Sequence, residues 1–147
     1  MKLFAFCFLF AAVAAAECPT GMTSVPLKTV DGNLTIPVSI NGQPNRNFIL
    51  DTGAAITVVS PSLSTEFHLL PASTPIDAIG AKGALSGYST NIDSVAVAGS
   101  TRKGYLVAIM ALKNFDVGGR KVQGILGEDF LSNFDILIQH GKTVCIK

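Results

Sequence analysis

Between Leu34 and Ile40 apolar residues alternate with polar or small ones at a period of two. Leu34, Ile36, Val38 and Ile40 are the apolar set, the pattern of a strand with one buried face. The run stops at Asn41-Gly42-Gln43-Pro44, residues that favour a turn, and Arg46 to Leu50 then returns antiparallel and ends at Asp51. Further on, Ser86 to Ala98 and Lys103 to Leu112 read as two longer strands joined over Gly99-Ser100-Thr101. Phe134 to Gln139 and Thr143 to Ile146 read as a final hairpin over His140-Gly141-Lys142. Helical pattern is limited to two short pieces. Pro61 to Phe67 has Ser60 as N-cap and Pro61 at the first position, and Glu128 to Asn133 follows Gly127. Turn residues punctuate stretches rich in Val, Ile, Thr and Leu, so the expected fold class is all-β with one or two short helices.

The first sixteen residues stand apart from this pattern. Met1-Lys2 gives a single positive charge, Leu3 to Val13 is an apolar run too short to span a bilayer, and Ala14-Ala15-Ala16 precedes Glu17. These are the parts of a cleavable secretory signal, which predicts removal of residues 1–16 near Ala16/Glu17 and a secreted or periplasmic protein. An uncleaved membrane anchor is the competing reading, and the Ala-rich exit favours cleavage. Of 147 residues, 131 then remain as residues 17–147, a normal size for one domain with one core.

Charge narrows the partners. The chain has 11 Lys and Arg against 10 Asp and Glu, and Lys2 leaves with the leader, so the mature protein is neutral by this count. Neither nucleic acid nor a membrane surface is expected as a partner of the mature form. Cys7 also leaves, so Cys18 and Cys145 remain, one near each mature terminus. Export makes a disulfide between them the expectation, within one chain or between two, with free buried thiols as the alternative. Two Cys and the distant His68 and His140 show no ligand spacing, so no metal and no other cofactor is expected.

Phe48-Ile49-Leu50-Asp51-Thr52-Gly53-Ala54 is an apolar strand ending in an acid, a hydroxyl, a glycine and a small residue. Alone, such a triplet is more often a turn. Two further elements change its weight. Gly124-Ile125-Leu126-Gly127 leads two aliphatic residues into a glycine and a short helix. Between them, Ile79-Gly80-Ala81-Lys82-Gly83-Ala84-Leu85-Ser86-Gly87 places three glycines in a hairpin-like stretch, where positive φ and easy opening are available.

Together and in this order, these elements resemble the retropepsins, the aspartic proteases of retroviruses and their cellular and bacterial relatives. The resemblance runs from Leu34 to about Ile146 and implies a closed β-barrel of the acid-protease fold. It further implies a catalytic Asp51 supported by Thr52, Gly53 and Ala54. Ile125, Leu126 and Gly127 would form a segment packed beside the catalytic loop, and Ile79, Gly80, Ala81, Lys82, Gly83, Ala84 and Leu85 a flap over a peptide substrate.

The chemistry sets a further requirement. Peptide hydrolysis by carboxylates needs one ionised group to activate water and one protonated group to donate to the carbonyl oxygen, which two carboxyls about 3 Å apart supply by sharing a proton. The chain has a single Asp-Thr-Gly, so the second acid is expected from another copy, on a twofold axis. Glu128 and Asp129 are the rival acids, but their position in the first turn of a helix suits a structural role at the helix dipole. Asp31, Asp77, Asp93, Asp116 and Asp135 read as solvated or turn-forming. Ala54, unlike the Ser of many relatives, has no hydroxyl to donate to Asp51, which predicts a mildly acidic optimum; maximal turnover near pH 2 contradicts it.

The resemblance also has gaps. Retroviral members usually carry acidic residues after the Ala and an Arg after the second-motif Gly, forming ion pairs that support the dimer. Here Ala55 and Ile56 follow Ala54, and Glu128 stands where the Arg would be. Dimer assembly is therefore expected to rest on other contacts, such as a sheet of chain termini restrained by Cys18 and Cys145. The expectation is an aspartic endopeptidase; the alternative is an inactive retropepsin-like module that binds peptides or self-associates.

Overall fold

The computed structural model describes residues 17–30, 32–72, 74–80, 83–111, 116–117 and 120–147. The expected leader, Asp31 and the flap residues Ala81 and Lys82 lie outside them. In chain order the strands begin with β1 (Thr23–Pro26), β2 (Lys28–Val30), β3 (Asn33–Ile40), β4 (Arg46–Leu50) and β5 (Val58–Val59). Helix α1 (Pro61–Glu66) follows, then β6 (Pro75–Gly80), β7 (Gly83–Val97), β8 (Ser100–Met110), β9 (Asp116–Val117), β10 (Arg120–Lys121) and β11 (Gly124–Leu126). The chain closes with α2 (Glu128–Leu131), β12 (Ile136–Gln139) and β13 (Thr143–Ile146).

The segments expected as strands are strands, with ends shifted by a few residues. β7 starts at Gly83 rather than Ser86, because the glycine-rich stretch itself pairs with β6 from Pro75↔Tyr88 to Gly80↔Gly83. The β7–β8 turn is tighter than expected: Ala98 and Gly99 carry it at φ 48° and 91°, while Ser100 and Thr101 already belong to β8. Asp77 and Asp93 lie within β6 and β7 rather than in turns, and both are exposed. Ser60 caps α1 by accepting from the Leu63 N–H at 3.2 Å, and Pro61 begins the helix where no N–H is needed.

Eight strands form one sheet in the order β2-β3-β4-β11-β5-β8-β7-β6, and β3 pairs again with β7 through Ser39↔Ala96 and Ile40↔Val95. This second pairing closes β3, β4, β11, β5, β8 and β7 into a ring of hydrogen-bonded neighbours, leaving β2 and the outer part of β6 at its edges. Within the ring β11 runs parallel to β4, and β5 runs parallel to β8. The chain therefore leaves β4 at Asp51, returns through β5, and much later threads β11 between these two strands.

Alternation divides the apolar residues between two sides. Phe48, Val59, Val107, Ile109 and Leu126 point into the main core, which also holds Val38, Ile40, Val95 and Phe130. Their neighbours Ile49, Val58, Ala108 and Ile125 point the other way and pack with Met110 and Val122. Ala54 and Ile56 of the loop after Asp51, together with Ile76, Ala78 and Leu85 of the β6–β7 hairpin, join this second cluster. Strands buried on both faces carry apolar residues consecutively, as Phe48-Ile49-Leu50 and Gly124-Ile125-Leu126 do.

A smaller sheet, β1-β13-β12, gathers the two ends of the described chain. Leu27 links it to the barrel: its N–H donates to the Lys142 carbonyl at 2.9 Å just before β2 joins β3. Cys18 and Cys145 are joined within one chain by a disulfide, and Cys145 lies fully buried in the central strand β13. A cross-link spanning 127 residues restricts the unfolded chain strongly. Cys145→Ser together with Cys18→Ser is expected to cost about 3 kcal/mol of stability, read as a drop in Tm that dithiothreitol reproduces in the native protein and not in the variant.

Candidate active site

Strand β4 delivers Asp51 to a loop that β11 fastens from the side. The parallel register Leu50↔Leu126 brings the Asp51 N–H to the Leu126 carbonyl at 3.1 Å, so the backbone of the acid continues the ladder one step beyond the strand. The loop then folds back on the carboxylate: the Gly53 N–H donates to Asp51 Oδ1 at 2.8 Å, and the Ala54 N–H donates to the Asp51 carbonyl at 3.3 Å. A Cβ at Gly53 would stand 3.2 Å from that Oδ1, so the close approach favours glycine. Asp51 itself is half-buried, with Thr52 and Gly53 exposed beside it. It sits where solvent or a ligand reaches its carboxylate, on a backbone that does not move freely.

The second motif supports the loop from below. Gly127 is buried, and an added Cβ would lie 2.7 Å from the Ala54 carbonyl oxygen and 2.7 Å from the Ile56 carbonyl carbon, so only glycine lets α2 begin there. The next residue, Glu128, donates its N–H to the Ala54 carbonyl at 2.7 Å. Ile125 and Leu126 face opposite sides, Ile125 toward the loop-side cluster and Leu126 into the main core. The segment read as a support in the sequence is thus in direct contact with the loop after Asp51.

Asp129 departs from its sequence reading. It was expected to serve the helix dipole from the first turn of α2, and instead its carboxylate turns toward Thr57, which is fully buried. Oδ2 accepts the Thr57 N–H at 3.0 Å; Oδ1 accepts the Thr57 hydroxyl at 2.7 Å and the Phe130 N–H at 2.9 Å. The Thr57 hydroxyl in turn accepts the Gly127 N–H at 3.2 Å. Short range decides here: a carboxylate facing two donors of one residue gains more from those bonds than from a four-residue helix's dipole. Glu128 remains exposed. Sequence reasoning overlooked Thr57, and its one available signal was a hydroxyl residue placed just before the consecutive apolar pair Val58-Val59.

The β6–β7 hairpin brings the glycine-rich stretch to the same side as the loop, since Ile76, Ala78 and Leu85 pack in the cluster that holds Ala54, Ile56, Val58 and Ile125. Toward its tip the side chains lose cover: Ile79 is 93% exposed, Ala84 is exposed, and Gly83 takes φ +115°, a conformation open to glycine. Among the described residues no group of three or more His, Cys, Asp or Glu side chains is arranged to hold a metal ion.

The arrangement has one carboxylate held by a glycine-bearing loop, an apolar cluster against that loop, and a hairpin on the same side whose Ile79 and Ala84 are exposed. Comparison with known proteins gives this a family. The sequence model of a family described as aspartyl protease matches residues 36–130, which contain the strand to Asp51, the hairpin and the second motif. No curated protein matches the chain. Among solved structures, the chain is similar to a retropepsin-like aspartic protease from Rickettsia conorii at TM-score 0.58 and 15% identity, covering 85% of this chain and 94% of that one. At that identity the likeness speaks for the fold, and the fold is retropepsin-like. By the family match over most of its length, the chain belongs to the aspartyl proteases.

Proposed function

We propose that the protein is an aspartic endopeptidase whose active site forms when two copies meet and each contributes Asp51. The observation that carries this reading is the half-buried Asp51, its carboxylate held by the Gly53 N–H and its backbone by the Leu126 carbonyl, at the start of a loop whose Ala54 and Ile56 pack with the β6–β7 hairpin. One such carboxyl cannot be both base and acid in the same step. Two of them about 3 Å apart share a proton: the ionised one takes a proton from water as it attacks the peptide carbonyl, and the protonated one donates to the carbonyl oxygen. No covalent acyl intermediate forms. Thr52, exposed next to the acid, would donate its hydroxyl to the partner's loop and fix the two carboxyls, and Gly53 would keep its N–H on Oδ1.

The hairpin that carries Gly80 and Gly83 would close over an extended peptide, with Ile79, Ala84 and Leu85 giving apolar contact. Support for self-association comes from the small sheet of chain ends. Its edge strand β12 leaves Leu137 and Ile138 each 41% exposed, an apolar strip with free backbone groups where a second copy would dock. This replaces the ion pairs that Ala55, Ile56 and Glu128 do not provide. Export through a cleaved leader is part of the same reading and is supported by the Cys18–Cys145 disulfide, a bond at home in oxidising compartments. Among the described residues no helix is long and apolar enough to cross a membrane.

Incubating the protein with a mixed peptide library between pH 4 and pH 7, alongside sedimentation, tests the proposal. Internal cleavage by a dimeric species is expected. A stable dimer that binds peptides and cuts none of them would favour the peptide-binding module instead.

A further inference from the structure

Strand β13 sets Thr143 and Cys145 opposite Gln139 and Leu137 of β12, and alternation puts these four side chains on one face of the small sheet. The disulfide seats Cys18 on that face. Glu17, the residue before it, is thereby held beside Gln139, whose Nε2 donates to the Glu17 carbonyl at 3.4 Å. That bond decides which end of the amide is nitrogen, since a carbonyl only accepts. The other end, Oε1, is buried and among the described residues has no hydrogen-bond partner.

A buried acceptor in this condition costs stability, and most such groups in folded proteins are bonded. The donor that processing changes is next to it. While residues 1–16 are attached, the Glu17 nitrogen is a planar amide with one N–H of fixed direction. Cutting the Ala16–Glu17 bond adds the hydroxyl of a water to the Ala16 carbonyl and leaves the proton lost by the new acid, with the water's other proton, on the Glu17 nitrogen. The product is an ammonium whose three N–H groups turn about the N–Cα bond, and an ionised donor makes the shorter and stronger bond.

Resting on the cleaved leader of the proposed reading, we propose that the Glu17 ammonium seats on Gln139 Oε1, so that the mature amino terminus is a working part of the small sheet. The Gln139 amide then holds both ends of one residue, the carbonyl through Nε2 and the ammonium through Oε1. The disulfide one residue away limits how far the new terminus wanders, which lowers the entropy lost in forming the bond. The contact also lies on β12, the strand whose Leu137 and Ile138 form the exposed strip, so removal of the leader is registered at that edge.

Three preparations test this by thermal unfolding: the chain beginning at Glu17, the same chain retaining Ala16, and the chain beginning at Glu17 with its amino group acetylated. The first is expected to melt about 4 °C above the other two. Gln139→Leu should remove that difference, lowering Tm in the free-amine form and moving it by no more than a degree or so in the two others, where it takes away an unpaired buried acceptor. Equal Tm for the three preparations would overturn the proposal. So would a Gln139→Leu loss of the same size in all of them, which shows an amide serving only the Glu17 carbonyl, and so would exported protein whose first residue is not Glu17. A Gln139→Leu that does not fold leaves the decision to the three unsubstituted preparations. None of these readings uses peptide cleavage, so an inactive protein removes the protease reading and leaves the contact standing.

Discussion

Asp51→Asn abolishes peptide cleavage, by a factor of at least about a thousand, while Tm moves by no more than a degree or two. The two halves of this expectation come from the same geometry. An amide has the shape of a carboxyl but cannot take a proton from water, and a dimer of the variant has no base at all; loss of positioned acid–base chemistry costs about 10²–10⁴ in rate. Stability is spared because Asp51 is half-buried and, among the described residues, its side chain accepts one bond, from the Gly53 N–H, which the amide oxygen still accepts. Mixing wild-type and variant chains adds a sharper reading. If each site takes one acid from each subunit, an excess of Asp51→Asn chains lowers wild-type activity by forming mixed dimers. Two independent one-chain sites would leave it unchanged.

Asp129→Ala destabilises the protein by about 3 kcal/mol, which corresponds to roughly 10 °C in Tm for a domain of this size. The size follows from the donors left behind. The Thr57 N–H and hydroxyl and the Phe130 N–H all end on this carboxylate, and Thr57 is fully buried, so water does not replace it there. Asp129→Asn keeps one acceptor oxygen but turns its NH2 toward another donor, so it loses less than Ala only by the bonds that the remaining oxygen accepts, about 1 kcal/mol. Thermal unfolding of the two variants checks the ranking. Equal losses for Ala and Asn would show that the negative charge, not the acceptor geometry, fastens Thr57. Activity falls in Asp129→Ala as well, because the loop between Asp51 and Thr57 loses its anchor on α2.

The parts of the fold that were legible in the sequence are those where a local rule and the tertiary structure agree. Leu34 to Ile40 alternates because β3 has one side in the core, and Ser60-Pro61 starts a helix by capping chemistry that needs no distant partner. The loop at Asp51 and its neighbour Gly127 were legible for a different reason: both belong to short segments whose order along the chain is recognisable, and an added Cβ at Gly127 would run into Ala54 and Ile56. The interposition of β11 between β4 and β5 has no such mark. It joins Gly124 to Phe48 and Val59, strands far earlier in the sequence, and no local period encodes it.

The same limit hid the pairing of Thr57 with Asp129. Each is an ordinary residue for its place, and they meet only when α2 and β5 have been placed around the loop. Asp129 was read from its nearest context, the helix N-terminus, and the contact that claims it is 72 residues away in sequence. Glycine at Gly53 could be read locally, since its partner is the carboxylate two residues before it. The site is therefore legible where its bonds are short in sequence and hidden where they are long.

The central claim is that two Asp51 carboxyls, one from each of two chains, make one active site. Its most direct test is cleavage of a single fluorogenic peptide over a range of protein concentration spanning the dimer dissociation constant, with sedimentation on the same samples. Specific activity per chain should rise with concentration in step with the dimer fraction, and fall toward zero where the protein is monomeric. A specific activity that stays constant down to concentrations where only monomer sediments would contradict the shared site.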